Sequence, residues 1–197
     1  MSTLLRPTKG SITIYGIDIV RYPNEARKLL GLVPQEVALY PNLTARENLR
    51  YFGRLYGLRG CQLEDRIWES LELVGLKKRG DERVFTFSGG MKRRANLAAG
   101  ILSKPRLLFL DEPTVGIDSQ SRNMILEKLA LLKQTGTAII YTTHYMEEAE
   151  LLCSYVVIID KGQSIAEGNP QELIAQTPGC SSLQDLFFAL TGKSIRD

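Results

Sequence analysis

Leu107-Leu108-Phe109-Leu110-Asp111-Glu112-Pro113 is the stretch on which the fold turns. An unbroken apolar run closed by two acids and a proline has the length of a strand buried on both faces of a parallel sheet. Asp111 and Glu112 then fall at the carboxyl end of that strand, where open α/β sheets place their ligands. A buried strand end is a costly place for two carboxylates unless a metal ion or a polarised water justifies them. The plainer account is a solvated strand end with two ordinary acids. The segment alone leaves both open.

Downstream, Asp118 caps a long helix that turns Ile125, Leu129 and Leu132 inward, with Gly136 past its end. Thr137 to Tyr141 reads as another buried strand and Met146 to Leu152 as a helix. Tyr155 to Asp160 and Gln163 to Glu167 flank Lys161-Gly162 as a hairpin. Gln171 to Ala175 is a short helix, and Ser182 caps a last one with Leu183, Leu186, Phe187 and Leu190 inward.

Upstream, the periodicity is helical. Gly89 to Leu102 forms one helix, stopped by Pro105. Leu63 to Val74 forms another, with Ile67, Leu71 and Val74 on one face and Gly75 as its stop. Asp81 to Phe87 connects the two. Thr44-Ala45-Arg46-Glu47 fits a capping box, followed by Leu49, Phe52 and Tyr56 at helical spacing. Before it, Gln35 to Leu43 is a loop, Gly31 to Val33 a short strand ended by Pro34, Asn24 to Leu30 a helix, and Ser11 to Tyr15 a half-buried strand turning at Gly16. Strands alternate with helices at both ends. The pattern predicts an α/β fold with a parallel sheet covered by helices on both faces and an all-helical insert. The divisions expected are residues 1–41, the remnant of an α/β core; 42–103, a helical subdomain; 104–170, the main α/β core; and 171–197, a helical tail.

The totals set bounds. The 197 residues allow one ordinary domain, with or without a small lobe. A net charge of +3 without a basic stripe argues against a nucleic-acid partner. The densest basic run, Lys77-Lys78-Arg79, reads as a solvated helix end. Cys61, Cys153 and Cys180 are odd in number and lack metal spacing, which suits reduced thiols in the cytoplasm. Met1 to Pro7 lacks the apolar core of a secretory signal, and no stretch approaches the ~20 apolar residues that span a bilayer.

Three further segments carry chemistry. Ser88-Gly89-Gly90 opens a helix, where glycines admit close approach and the first N–H groups favour an anion; a plain serine cap explains the same letters. His144, the only histidine, ends a strand in Tyr141-Thr142-Thr143-His144. Gln35 follows an apolar strand and has the weakest case alone.

Their joint order, Gln35, helical insert, Ser88-Gly89-Gly90, Asp111-Glu112, His144, resembles the ATP-binding subunit of ATP-binding-cassette (ABC) transporters across nearly the whole chain. Phe87-Ser88-Gly89-Gly90-Met91 is similar to that family's signature loop, usually Leu-Ser-Gly-Gly-Gln. Leu110 to Thr114 is similar to its Walker B segment, Val115-Gly116-Ile117-Asp118 to its D-loop, and Thr143-His144 to its switch histidine. Phe87 and Met91 depart from the commonest signature. They look like the drug- and antibiotic-export branch, which pairs with ABC-2-type permeases, as do the run through Arg94 and the closing Leu186 to Gly192. The resemblance implies a P-loop NTPase-like fold, ATP and Mg²⁺ as cofactors, and a trans site shared by two ATP-binding subunits, with a homodimer expected. Asp111 would hold Mg²⁺ through water, Gln35 would reach the metal, and Glu112 would orient or deprotonate the attacking water. His144 would contact the γ-phosphate. Ser88, Gly89 and Gly90 would bind the nucleotide of the other subunit, and Asp118 would organise the seam. The helical insert would dock on a separate transmembrane subunit, placing the protein on the inner face of the cell membrane as part of a multidrug-type exporter.

One part of that pattern does not occur in these residues: no G-x-x-x-x-G-K-[ST] segment is present. In the family it lies within the first strand–loop–helix of the α/β unit, roughly a dozen residues ahead of Met1, and Ser2 to Leu5 looks like the tail of that helix. The gap favours a misassigned start or a truncated relic over a short form that acts without hydrolysis. It leaves a second function open, that of a non-catalytic protein docking on membrane subunits.

Overall fold

The computed structural model describes residue 3 and residues 5–192. Of the helix tail expected at Ser2 to Leu5, Ser2 and Leu4 lie outside the described residues, and Thr3 and Leu5 are bends. The chain divides into two compact units, Met1–Ile140 and Tyr141–Asp197.

In the first unit, β1 (Thr13–Ile14) and β2 (Ile17–Asp18) make a small antiparallel hairpin. Tyr15 and Gly16 both take positive φ, 48° and 81°, the backbone that a tight two-residue hairpin turn requires. The strand expected over Ser11 to Tyr15 is therefore shorter, because its last residue is already in the turn. The Asp18 carboxylate accepts the Val20 and Arg21 N–H groups and steers the chain into α1 (Pro23–Leu29), which opens on proline. Strand β3 (Leu30–Val33) follows at once and stops at Pro34.

The helical block begins at α2 (Ala45–Leu55). Its capping box is complete: Glu47 N–H donates to Thr44 Oγ1 at 3.1 Å, and Thr44 N–H donates to Glu47 Oε2 at 2.8 Å. Helix α3 (Gly60–Leu73) starts earlier than the expected Leu63, and buries Leu63, Ile67 and Leu71, with Val74 as its cap and Gly75 at φ 68°. Lys77–Arg79 is a separate 3₁₀ turn rather than a helix end; Lys77 pairs with Glu72 and Arg79 with Glu82. A second 3₁₀ turn, Val84–Thr86, leads into α4 (Gly89–Ile101).

Next come β4 (Leu107–Asp111), α5 (Ser119–Gln134) and β5 (Ala138–Thr142), and the sheet order is β3-β4-β5. Strands β3 and β4 are parallel, with Leu30 beside Leu107 and Val33 beside Leu110. Side chains alternate across this pair. Leu30, Leu107 and Phe109 pack with Ala26 of α1 and with Ile14 and Ile19 on one face. Gly31 and Leu108 meet α4 on the other: a Cβ added at Gly31 would lie 2.2 Å from the Gly100 carbonyl oxygen, and one added at Gly100 would lie 2.4 Å from Val33. Two glycines thus let helix and strand backbones close in, a use of strand glycine that the sequence pattern does not announce. The buried strand expected over Thr137 to Tyr141 is a strand but not a buried one. β5 is the edge of this sheet, with Ala138 and Thr142 exposed and the residues between them half-buried.

The second unit holds α6 (Met146–Leu152), the antiparallel hairpin β6 (Val156–Asp160) and β7 (Gln163–Gly168), α7 (Pro170–Gln176) and α8 (Leu183–Thr191). Lys161 and Gly162 form the hairpin turn, with φ of 49° and 78°. Its core is Val156, Ile158, Ile174, Leu183 and Leu186. Phe187 is only partly buried, and Leu190, expected inward, is 43% exposed: the last turn of α8 outlasts the apolar surface beneath it.

Candidate functional site

The Walker-like strand ends as its letters imply, but with a different electrostatic setting. Leu107 to Leu110 are buried, whereas Asp111 is exposed and Glu112 half-buried. The expected cost of burying both acids does not arise, because the strand opens to the surface at its last residue. Two other features single out Glu112. Its φ is 43°, a left-handed conformation that non-glycine residues adopt at a cost of about 1 kcal/mol or more. Its Oε2 accepts a hydrogen bond at 3.0 Å from Gln35 Nε2, a residue 77 positions away. The parallel pairing of β3 with β4 produces that meeting, since Val33, the last residue of β3, pairs with Leu110, one residue short of the end of β4, and Gln35 and Glu112 each follow their paired residue by two positions.

Gln35 is held from behind by Asn96 of α4. Asn96 is 3% exposed. Its amide donates to the Pro34 carbonyl at 3.2 Å and its oxygen accepts the Ala38 N–H at 3.1 Å, bracketing the loop that carries Gln35. Asn48 of α2, fully buried, grips the far end of the loop through both backbone groups of Tyr40. Neither asparagine stood out in the sequence. The available signal was an amide on the apolar face of a helix, where burial demands a partner.

Ser88 caps α4, its Oγ accepting the Met91 N–H at 3.3 Å. Gly90 packs against the start of α5: an added Cβ would lie 2.1 Å from Ser121 Oγ and 3.4 Å from Asp118 Oδ2. Asp118 in turn caps α5 by accepting the Ser121 N–H at 2.9 Å, and the backbone and hydroxyl of Ser121 hold its carboxyl below the usual aspartate range. Gly89 differs from Gly90. An added Cβ there meets only the Gly116 carbonyl, at 4.0 Å, so no contact among the described residues requires a glycine. Arg93 reaches from α4 to the Val115 carbonyl at 3.2 Å, tying the glycine-rich helix start to the turn after Glu112. The first unit therefore carries two groups: Gln35 with Glu112 next to Asp111, and the Ser88 to Gly90 helix start, whose Gly90 sits against Asp118 and Ser121. His144 belongs to the second unit, where its ring lies 4.1 Å from that of Tyr145.

Among the described residues no cluster of three or more His, Cys, Asp or Glu could cage a metal alone. Two adjacent carboxylates and an amide are the oxygen set that suits Mg²⁺ when a ligand's phosphates complete its shell.

A glutamine bonded to an acid at the end of a buried parallel strand, a glycine-rich helix start, and a helical insert between them define an ATP-binding domain of the ABC class. The chain belongs to the ABC transporter family, whose pattern it matches over residues 1–115. It is 48% identical over 184 residues to the linearmycin resistance ATP-binding protein LnrL of Bacillus subtilis (strain 168), covering 93% of this chain and 59% of that protein. It is 42% identical over 181 residues to the Nod factor export ATP-binding protein I of Cupriavidus metallidurans, covering 92% of this chain and 60% of that one. The chain thus spans about 60% of the length of these relatives. A solved ATP-binding subunit of an ABC transporter superposes with a TM-score of 0.83 at 31% identity, over 95% of this chain and 79% of the other. The parallel sheet with helices is the P-loop NTPase-like fold of that neighbour.

Proposed function

We propose that this chain is the nucleotide-hydrolysing part of an export system's ATP-binding subunit, coupling ATP hydrolysis to transport through a separate membrane subunit. The observation that carries the reading is the hydrogen bond from Gln35 Nε2 to Glu112 Oε2 beside Asp111. Bound Mg²⁺ would neutralise the charge that develops on the transferred phosphoryl group. Asp111, exposed at the strand end, would hold the cation through its water shell. Glu112 takes or orients the proton of the attacking water, its side chain aimed by Gln35. Ser88, Gly89 and Gly90 serve the nucleotide of a second copy, and the glycine at 89 is explained by that approach. Asp118 fixes the helix start on which this loop sits. His144 is the γ-phosphate contact.

The membrane partner, of the ABC-2 permease type, docks on the helical block. Tyr40, Tyr51, Leu55 and Phe85 are exposed there, with the Tyr40 and Tyr51 rings 5.1 Å apart edge-on. Tyr51 and Leu55 line a groove of ≈ 430 Å³ together with residues that include Leu43. Among the described residues no helix is long and apolar enough to cross a membrane. Such a subunit sits on the inner face of the membrane through its permease. The relatives' names, linearmycin resistance and Nod factor export, support an export role here.

The test compares the 197-residue chain with a fusion bearing a relative's first strand, phosphate loop and helix ahead of it. Calorimetric titration should show millimolar or weaker ATP binding to the chain. Each missing charge-assisted hydrogen bond is worth about 1.5–3 kcal/mol, and the absent loop would supply several. The fusion should bind at micromolar levels and hydrolyse ATP, with hydrolysis lost in Glu112→Gln. A fusion that binds ATP tightly and never hydrolyses it would leave the non-catalytic docking protein in its place.

A further inference from the structure

The second unit contains a buried carboxylate that the site above does not use. Glu148, in the first turn of α6, is 3% exposed. Its Oε2 accepts the Tyr141 hydroxyl at 2.6 Å and the Thr143 hydroxyl at 3.2 Å. The Thr143 oxygen in turn accepts the Tyr145 N–H at 2.9 Å. Tyr141 and Thr143, ahead of His144, are therefore tied directly to one oxygen of one buried acid, and Tyr145, behind it, is tied to that acid through the Thr143 hydroxyl. A threonine hydroxyl can serve both bonds at once, donating its proton and accepting through a lone pair. Burying an acid costs free energy that bonds of this kind offset, so the placement calls for a reason. Helix α6 is itself anchored on its other side: Glu150 accepts the Leu183 N–H at 3.1 Å, at the start of α8, and Gln171 Nε2 at 3.4 Å, in α7.

We propose that Glu148 is a positioning residue for His144, holding the turn 141–145 so that the imidazole keeps one orientation. The functional half of this inference rests on the reading that His144 serves the nucleotide; the structural half does not. A mobile imidazole would contact a phosphate only part of the time, and misplacement of about 1 Å in a reacting group can cost roughly a hundredfold in rate.

His144 is the only histidine in the chain, so its ring protons give a single pair of signals in a ¹H–¹³C spectrum of the 197-residue protein. With the Tyr145 ring 4.1 Å away, those signals should be shifted from solvent-exposed values. Glu148→Ala should move them toward exposed values or split them. Glu148→Gln should leave them in place, because both bonds converge on one oxygen that a glutamine carbonyl can replace. If Glu148→Ala fails to fold, Tyr141→Phe removes its hydroxyl bond to Glu148, Thr143→Val removes the second bond to Glu148 together with the one from the Tyr145 N–H, and both variants report through the same signals. Ile174→Val, a cavity in the same unit's core, should leave them unmoved. Wild-type signals in a folded Glu148→Ala protein, or in both Tyr141→Phe and Thr143→Val, would overturn the proposal. In the phosphate-loop fusion, Glu148→Ala should lower kcat about tenfold or more with the KM for ATP unchanged, and Glu148→Gln should restore it. Unchanged kcat beside displaced signals would overturn the functional half. A fusion without hydrolysis would instead sink the function proposed above, and the His144 signals would still decide whether Glu148 positions the ring.

Discussion

Asn96 spends a buried amide on the backbone of the loop that presents Gln35, and the bond from Gln35 to Glu112 depends on that loop's shape. Replacing Asn96 with leucine keeps the volume but leaves the Pro34 carbonyl and Ala38 N–H without it. We predict a loss of about 1–3 kcal/mol in urea unfolding and faster hydrogen exchange at Ala38; an unchanged Ala38 rate would show that the loop holds itself. Single carboxylates also set the acid response. Glu47, Glu64, Glu82, Asp118 and Asp185 all lie below the ordinary values of 4.5 and 3.8. The causes are the Thr44 backbone for Glu47, Arg50 for Glu64, Arg79 for Glu82, and Ser121 and Ser181 for the two aspartates. Because their folded values are depressed, the unfolded chain takes up protons first on acidification. Their stabilisation is complete above the ordinary values and is lost as pH falls through the lower, folded ones. The urea midpoint should be flat near neutrality with respect to these groups and fall below about pH 4.5. A midpoint that rose on acidification through this range would contradict the assignment.

The contact between α4 and β3 is made at Gly31 and Gly100, and it allows no extra atom. A methyl at Gly31 would run into the Gly100 carbonyl at 2.2 Å, a backbone atom that cannot rotate away. Gly31→Ala should cost more than about 1–3 kcal/mol, the usual range for overpacking, while Gly89→Ala, in open space, should cost far less; denaturant melts of both variants check the contrast. At the capping box, Thr44→Ala should lower stability by about 1 kcal/mol, read in the same melts. These elements differ in how openly the sequence displays them. The capping box, the Asp118 cap and the Lys161-Gly162 turn are legible because a few neighbouring residues contain the whole interaction. The exposure of β5 was not, since its apolar run looks the same at a sheet edge as at a sheet centre. The two glycines of the helix–strand contact lie far apart in sequence and gain meaning only when the elements meet.

As a whole molecule, this chain should use its glycine-rich loop on another copy of itself. In the phosphate-loop fusion carrying Glu112→Gln, ATP should convert monomer to dimer, followed by light scattering. Adding Gly89→Val should block the dimer while the monomer still binds ATP through its own phosphate loop, because an added Cβ at position 89 meets nothing closer than the Gly116 carbonyl at 4.0 Å. A dimer that still formed would place the second copy elsewhere. The sequence by itself determined the α/β class, the order of the main helices and strands though not β2 or the two 3₁₀ turns, the family, and the letters Gln35, Ser88 to Gly90, Asp111, Glu112 and His144. Periodicity, caps and motif spacing are local, and a single chain displays them without folding. The tertiary structure alone decided that Gln35 bonds Glu112 across 77 positions, that Asp111 faces solvent, and that Glu112 takes a left-handed backbone. It also brought Asn96 and Glu148 into hydrogen bonds with the segments that carry Gln35 and His144. Those facts follow from strand register and from which polar groups become buried together, and neither exists until distant segments pack.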